Sequence, residues 1–255
     1  LRPFALESII DLTHVRMQLV LSLVGGFMLG VALLHMLPHG VAACGDLDLV
    51  VGCALIGLVF TFLMIRTLHF HQHGPAAHED HSHVHDTCGH HSHAHPVSWL
   101  GVAFGLGIHA VMDGMAVGAA VFTEAGHGHS LFPGLAVFLA VLLHKPLDSL
   151  SIISVMASGG LNKPMRMWIN LGVAFMCPLG VVLVAVLVGL QGPEVSSNLD
   201  GRWLGVLLGL SAGVFLCISL SDLLPEVQFH SHDRFRLSAA LLLGVALAYG
   251  VGFLE

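Results

Sequence analysis

Long apolar stretches recur along this chain, broken by short polar connectors. A bilayer core is crossed by about 20 apolar helical residues. Seven runs reach roughly that length, at residues 18–38, 47–68, 97–122, 131–157, 168–190, 203–224 and 237–254. Connectors such as "GVAACGDLD", "GGLNKPMR" and "GPEVSSNLDGR" supply the glycine, proline and charge that the runs lack. The pattern predicts an all-α polytopic membrane protein, a bundle of spanning helices.

The basic residues predict how the chain is threaded, because cytoplasmic loops carry the excess of Lys and Arg. Arg2 and Arg16 precede the first run, Arg66 ends the second, Lys163 and Arg166 follow the fourth, and Arg234 and Arg236 follow the sixth. These fall on one alternating set of loops, which is assigned to the cytoplasm. The opposite set holds Arg202 with the acids Asp46, Asp48, Glu124, Glu194 and Asp200. The remaining cation, Lys145, lies inside a run.

Composition agrees with this reading. The chain is 55% hydrophobic and 10% charged, against about 25% charged in soluble domains. The dispersed basic residues argue against a nucleic-acid partner, whatever the net charge of −7. Cys44, Cys53, Cys88, Cys177 and Cys217 are widely spaced and read as packed thiols rather than a disulfide framework. The sequence opens on Leu1, and residues 1–17 hold no signal-peptide core, which reads as a chain lacking an N-terminal portion.

Two segments depart from the apolar pattern. Residues 69–95 hold eleven of the twenty histidines, including His81, His83, His85, His90, His91, His93 and His95. That composition predicts a disordered, metal-binding loop on the cytoplasmic side. The second feature is an internal repeat. "VGGFMLGVALLHMLPHG" matches "SAGVFLCISLSDLLPEV", pairing Gly26 with Gly213, Leu29 with Leu216 and Pro38 with Pro225. His35 and His39 then correspond to Asp222 and Glu226. One copy runs outward and the other inward, an inverted arrangement in which transporters place their site near the midplane. By direction of travel, His35 and His39 sit near the external mouth, and Asp222 with Glu226 near the cytoplasmic mouth. The series Gly201, Gly205, Gly209 and Gly213 predicts close helix contact.

The strongest chemical signal lies between the repeats. "HAVMD" places His109 and Asp113 on one helix face, and "HKPLD" does the same for His144 and Asp148. At about 1.5 Å per residue, His109 and His144 lie ~18–20 Å into their runs. Facing each other across antiparallel helices, they would offer two imidazoles and two carboxylates at one depth. That set suits zinc and similar ions, and ionisable groups at mid-membrane are usually functional. Pro146 is expected to kink the second of these helices.

With "GGFMLGVALLHMLPH", the His-rich loop, "HAVMDGMAVGAA", "LLHKPLDSLSI" and "LSDLLPE" in view, the chain resembles the ZIP family of metal transporters. The resemblance covers nearly the whole chain. It implies eight spans, inverted repeats flanking two central metal-binding helices, import of a divalent metal through a plasma or inner membrane, and commonly a homodimer. The seven runs would then be family helices two to eight. Residues 1–68 would carry helices two and three, 69–96 the His-rich loop, 97–160 helices four and five, and 161–255 helices six to eight. His109, Asp113, His144 and Asp148 match the family's metal positions. Some members hold a second metal with an Asn and an acid where this chain has Ala110 and Lys145, so a single transported ion is expected. Zinc is the first expectation, with Fe2+, Mn2+ or Cd2+ as other substrates. Two readings compete with an importer. One is an exporter of the cation-diffusion-facilitator type. The other is an intramembrane zinc hydrolase with His35, His109, His144 and Asp113 on the metal, assisted by Ser149 or Ser151.

Overall fold

The computed structural model describes residues 3–69, 98–127, 131–190, 197–223 and 234–254. Helix α1 (Pro3–Val31) passes through a π-helical turn, π1 (Ala32–Met36), into α2 (Leu37–Cys44). Then come α3 (Leu47–His69), α4 (Ser98–His127), α5 (Leu135–Ser158), α6 (Lys163–Leu190) and α7 (Ser197–Ile218). A second π-helical turn, π2 (Ser219–Leu223), follows α7, and α8 (Arg234–Val251) closes the series. Among the described residues no strand occurs, as the hydropathy pattern predicts. The chain is an integral, multi-pass membrane protein by its helices and composition.

Local chemistry explains where the helices turn. Gly45 takes φ 71°, a left-handed conformation that ends α2. One residue on, Asp46 Oδ1 accepts the Leu49 N–H at 3.0 Å and so caps the start of α3. Asn162 caps α6 in the same way, accepting from Met165 N–H at 3.0 Å. Among the described residues six helices are long and apolar enough to cross a membrane. The seventh run holds a shorter apolar helix, Phe235–Val251, after which Phe253 and Leu254 turn back onto the carbonyls of Gly250 and Val251. Pro146 lies inside α5, which continues through it as helix.

The internal repeat is visible in three dimensions. π1 and π2 are separated by the same offset of 187 residues that aligns Gly26 with Gly213. Each bulge is tied to the opposite copy. His35 Nε2 donates to the Ala248 carbonyl of α8 at 2.8 Å, and Ser219 Oγ donates to the Gly25 carbonyl of α1 at 2.8 Å. The repeats are also interlocked, with α1 packed on α8 and α7 packed on α3.

The glycine series on α7 makes that packing possible. A Cβ on Gly213 would collide with the Ala54 carbonyl of α3, and one on Gly201 with the Ala43 carbonyl of α2. Gly213→Val is therefore expected to lower the melting temperature in detergent by several degrees, as overpacking costs about 1–3 kcal/mol. Gly107→Val, where an added Cβ meets nothing within 4 Å, should leave it unchanged.

Helices α4 and α5 lie against α1 and α7 on one side and contact α6 on the other. Their inward faces are alanine-rich, with Ala110, Ala116, Ala119 and Ala120 on α4 and Ala136 and Ala140 on α5 fully buried. Small side chains bring the backbones close, and Phe27, Met28, Met36 and Phe215 fill the remaining core. α3 and α6 instead turn Leu55, Phe60, Trp168, Phe175 and Leu190 outward, as helices facing lipid do.

Candidate metal centre

Close packing of α4 on α5 sets the site. His109 and Asp113 are one turn apart on α4, and His144 and Asp148 one turn apart on α5. The structure brings all four together, with one ligand atom from each lying within 4.8 Å of the others. Asp113 Oδ2 is 3.4 Å from His109 Nε2 and 3.3 Å from His144 Nε2. Asp148 Oδ2 is 3.8 Å from each imidazole Nε2. With bonds of about 2.0–2.1 Å, ligands on a tetrahedral zinc stand ~3.4 Å apart. The four imidazole–carboxylate separations are within a few tenths of an ångström of that spacing, and the widest pair of the four ligand atoms, within 4.8 Å, closes further when the shell forms.

The surroundings orient these groups. His144 Nδ1 donates to the Ala140 carbonyl at 2.6 Å. A carbonyl can only accept, so the proton sits on Nδ1, and in the neutral ring Nε2 turns its lone pair toward the carboxylates. The edge of the His144 ring packs against Phe215 of α7, with centroids 5.7 Å apart. His109 is 5% exposed, and neither of its ring nitrogens has a hydrogen-bond partner among the described residues. Asp113 Oδ1 is in the same state. A buried polar atom left unpaired costs about 1–3 kcal/mol, and a cation held between these groups removes that cost.

A cation of the chain's own lies there. Lys145 Nζ donates to Asp113 Oδ2 at 2.6 Å and reaches Asp148 Oδ2 at 3.5 Å. Ala110, the other position expected to differ from two-metal members, is fully buried and offers no ligand atom. Beyond the site, Ser149 Oγ accepts from Asn170 Nδ2 of α6 at 2.9 Å. Lys145, Asp148, Ser149, Asn170 and Cys177 border a largely apolar cavity of about 600 Å³ between α5 and α6.

The expected mouth residues separate into two groups. His35 is 4% exposed and bonded to Ala248, so it does not join the four-residue cluster as the hydrolase reading requires. His39 lies on α2, with its side chain 31% exposed. Asp222 falls within π2, His69 ends α3, and Glu226 and the other histidines of the 69–95 tract lie outside the described residues. Glu124 is a finding that the hydropathy reading, which placed it in a connector, did not anticipate. It is 4% exposed on α4 and 3.0 Å from His39. One signal was available. It follows Asp113 by eleven residues, three helical turns, and so shares its face.

The family model described as ZIP zinc transporter matches residues 71–252. Human zinc transporter ZIP3 is 34% identical over 161 residues, covering 63% of this chain and 47% of that protein. Human zinc transporter ZIP1 is 30% identical over 156 residues, covering 60% and 44%. The metal cation symporter ZIP14 of Bos taurus is 26% identical over 161 residues, covering 61% and 29%. The chain thus spans less than half the length of these relatives. No solved structure matches it. With the family model covering most of the chain and both central motifs inside the match, the chain belongs to the ZIP zinc transporter family.

Proposed function

We propose that this protein is a transporter rather than an enzyme, and that it moves a divalent transition-metal ion, zinc foremost, toward the cytoplasm. A single mid-membrane site of His109, Asp113, His144 and Asp148 carries the ion. The observation that carries this reading is the convergence of two imidazoles and two carboxylates from adjacent helices, several of their buried atoms lacking partners. Such a set binds zinc without the thiolates that would trap it. The relatives named as zinc transporters support zinc as the cargo, and the one named as a metal cation symporter keeps Fe2+, Mn2+ and Cd2+ as further substrates to test.

The direction is what the family resemblance implies, and the Lys and Arg asymmetry supports a cytoplasmic position for the 69–95 tract. A plasma or inner membrane and a homodimer, family helices two to eight for the seven runs, and the 1–68, 69–96, 97–160 and 161–255 division belong to the same proposal. His35 and His39 would serve the outer mouth, and Asp222 and Glu226 the inner one. Radiolabelled zinc should accumulate in proteoliposomes carrying the protein and not in empty ones, with excess Fe2+, Mn2+ or Cd2+ revealing competing substrates. Equal counts in both vesicle types would end the transport reading.

The histidine tract would bind metal on the receiving side. Neutral imidazoles ligate and protonated ones do not, so its affinity should fall as pH drops through about 6.5. Deleting residues 69–95 is expected to preserve basal uptake while flattening its response to metal load and pH. Loss of all transport with normal membrane insertion would contradict that role.

A further inference from the structure

Glu124 is a buried carboxylate at the end of α4 that leads into the α4–α5 turn. Its Oε2 accepts the Gly134 N–H at 2.5 Å, just ahead of α5. Its Oε1 lies 3.0 Å from His39 Nδ1, yet without the alignment a hydrogen bond needs, so this oxygen has no hydrogen-bond partner among the described residues. The two atoms stand side by side rather than in donor-to-acceptor line.

A carboxylate out of water needs a cation, and among the described ion pairs the partner of Glu124 is His39 alone. A separation of 3.0 Å is close to the ~3.4 Å between two ligands of one tetrahedral ion. The part-exposed His39 opens this pair toward solvent, while Glu124 closes it from behind. A neighbouring imidazole, His35, lies with its ring centroid 6.0 Å from that of His39. It is held by the Ala248 carbonyl.

We propose that His39 and Glu124 form an outer staging site for a divalent metal ion, about 16 Å along α4 from Asp113 at 1.5 Å per residue. Two protein ligands with water completing the shell bind an ion weakly and exchange it fast, which suits capture ahead of a tighter four-ligand site. The helix face that Glu124 shares with Asp113 puts both on one line of travel. Because Glu124 joins α2 to the α4–α5 turn, an ion captured there engages both elements. The inference rests on the transport reading for its direction, but the binding site itself does not.

Binding and uptake separate the two. In equilibrium dialysis of the full chain against radiolabelled Cd2+, Glu124→Gln should bind one weak equivalent fewer than wild type. His144→Ala should lose a different, tighter equivalent, and the double variant both. Glutamine still accepts the Gly134 N–H, so the turn keeps its tie, and the milder His39→Gln should lose the same weak equivalent. In proteoliposomes Glu124→Gln should raise the KM for zinc roughly tenfold, within the range by which charged sites alter capture, at an unchanged limiting rate. A full complement of Cd2+ in both Glu124→Gln and His39→Gln overturns the staging site. So does a lower limiting rate at unchanged KM, which marks Glu124 as a structural tie. Loss of the weak equivalent in a protein that moves no zinc would keep the staging site and sink the transport reading instead.

Discussion

His144→Ala is expected to abolish zinc uptake into proteoliposomes, with a loss of more than about 100-fold at subsaturating zinc. Disturbing groups behind a metal ligand alone costs about 10–100-fold in affinity or activity, and here the ligand itself is removed. His144 is also the member whose orientation is best determined. The Ala140 carbonyl fixes its tautomer, Phe215 packs against its ring, and its Nε2 faces both carboxylates. Alanine deletes one nitrogen ligand and leaves three. The polypeptide should still insert and hold its helices, because the α1–α8 and α3–α7 packing does not run through this side chain. Helical circular dichroism and the melting temperature in detergent check that point. Uptake equal to wild type in a well-folded His144→Ala protein would remove His144 from the site.

The parts of this architecture legible from sequence are those fixed by period and polarity. "HAVMD" and "HKPLD" announce helix faces because four residues make about one turn, and the structure sets those faces against each other. The repeat was readable from glycine, leucine and proline matches. The π-helical turns at its two equivalent positions were not, since a bulge is set by tertiary contacts, here with Ala248 and Gly25. Hydropathy did not mark where the last helix ends, because apolar residues continue after Val251 even where the backbone turns. It also left Glu124 in a connector. Charge at a run's end looks solvated in one dimension, and only the packing of α2 and the Gly134 turn buries it. Lys145 was visible as an oddity, but its place between the two carboxylates depends on side-chain reach that sequence does not specify.

Lys145 carries the second large expectation. Its ammonium lies 2.6 Å from one aspartate oxygen and 3.5 Å from the other, where it offsets part of their combined charge and competes with an incoming ion for the same oxygens. Unit charges about 4 Å apart interact by ~4 kcal/mol at an effective dielectric of 20. Part of that is returned as desolvation, so a net effect of about 1.4–2.8 kcal/mol is a reasonable scale, equal to roughly ten- to hundredfold in affinity. Lys145→Met, which keeps the stem and deletes the charge, should therefore bind zinc roughly ten- to hundredfold more tightly. Uptake at saturating zinc should slow, because release is opposed by the same energy. Lys145→Arg keeps a cation and should stay near wild type in affinity. Lys145→Asp goes further by adding a third carboxylate, and the bound stoichiometry should move from one zinc toward two in this site. Isothermal titration of the four proteins, read beside their uptake rates, measures each term. Identical affinities for the Lys, Met and Arg forms would show that the ammonium does not contest the site. The single-metal reading would then rest on Ala110 alone.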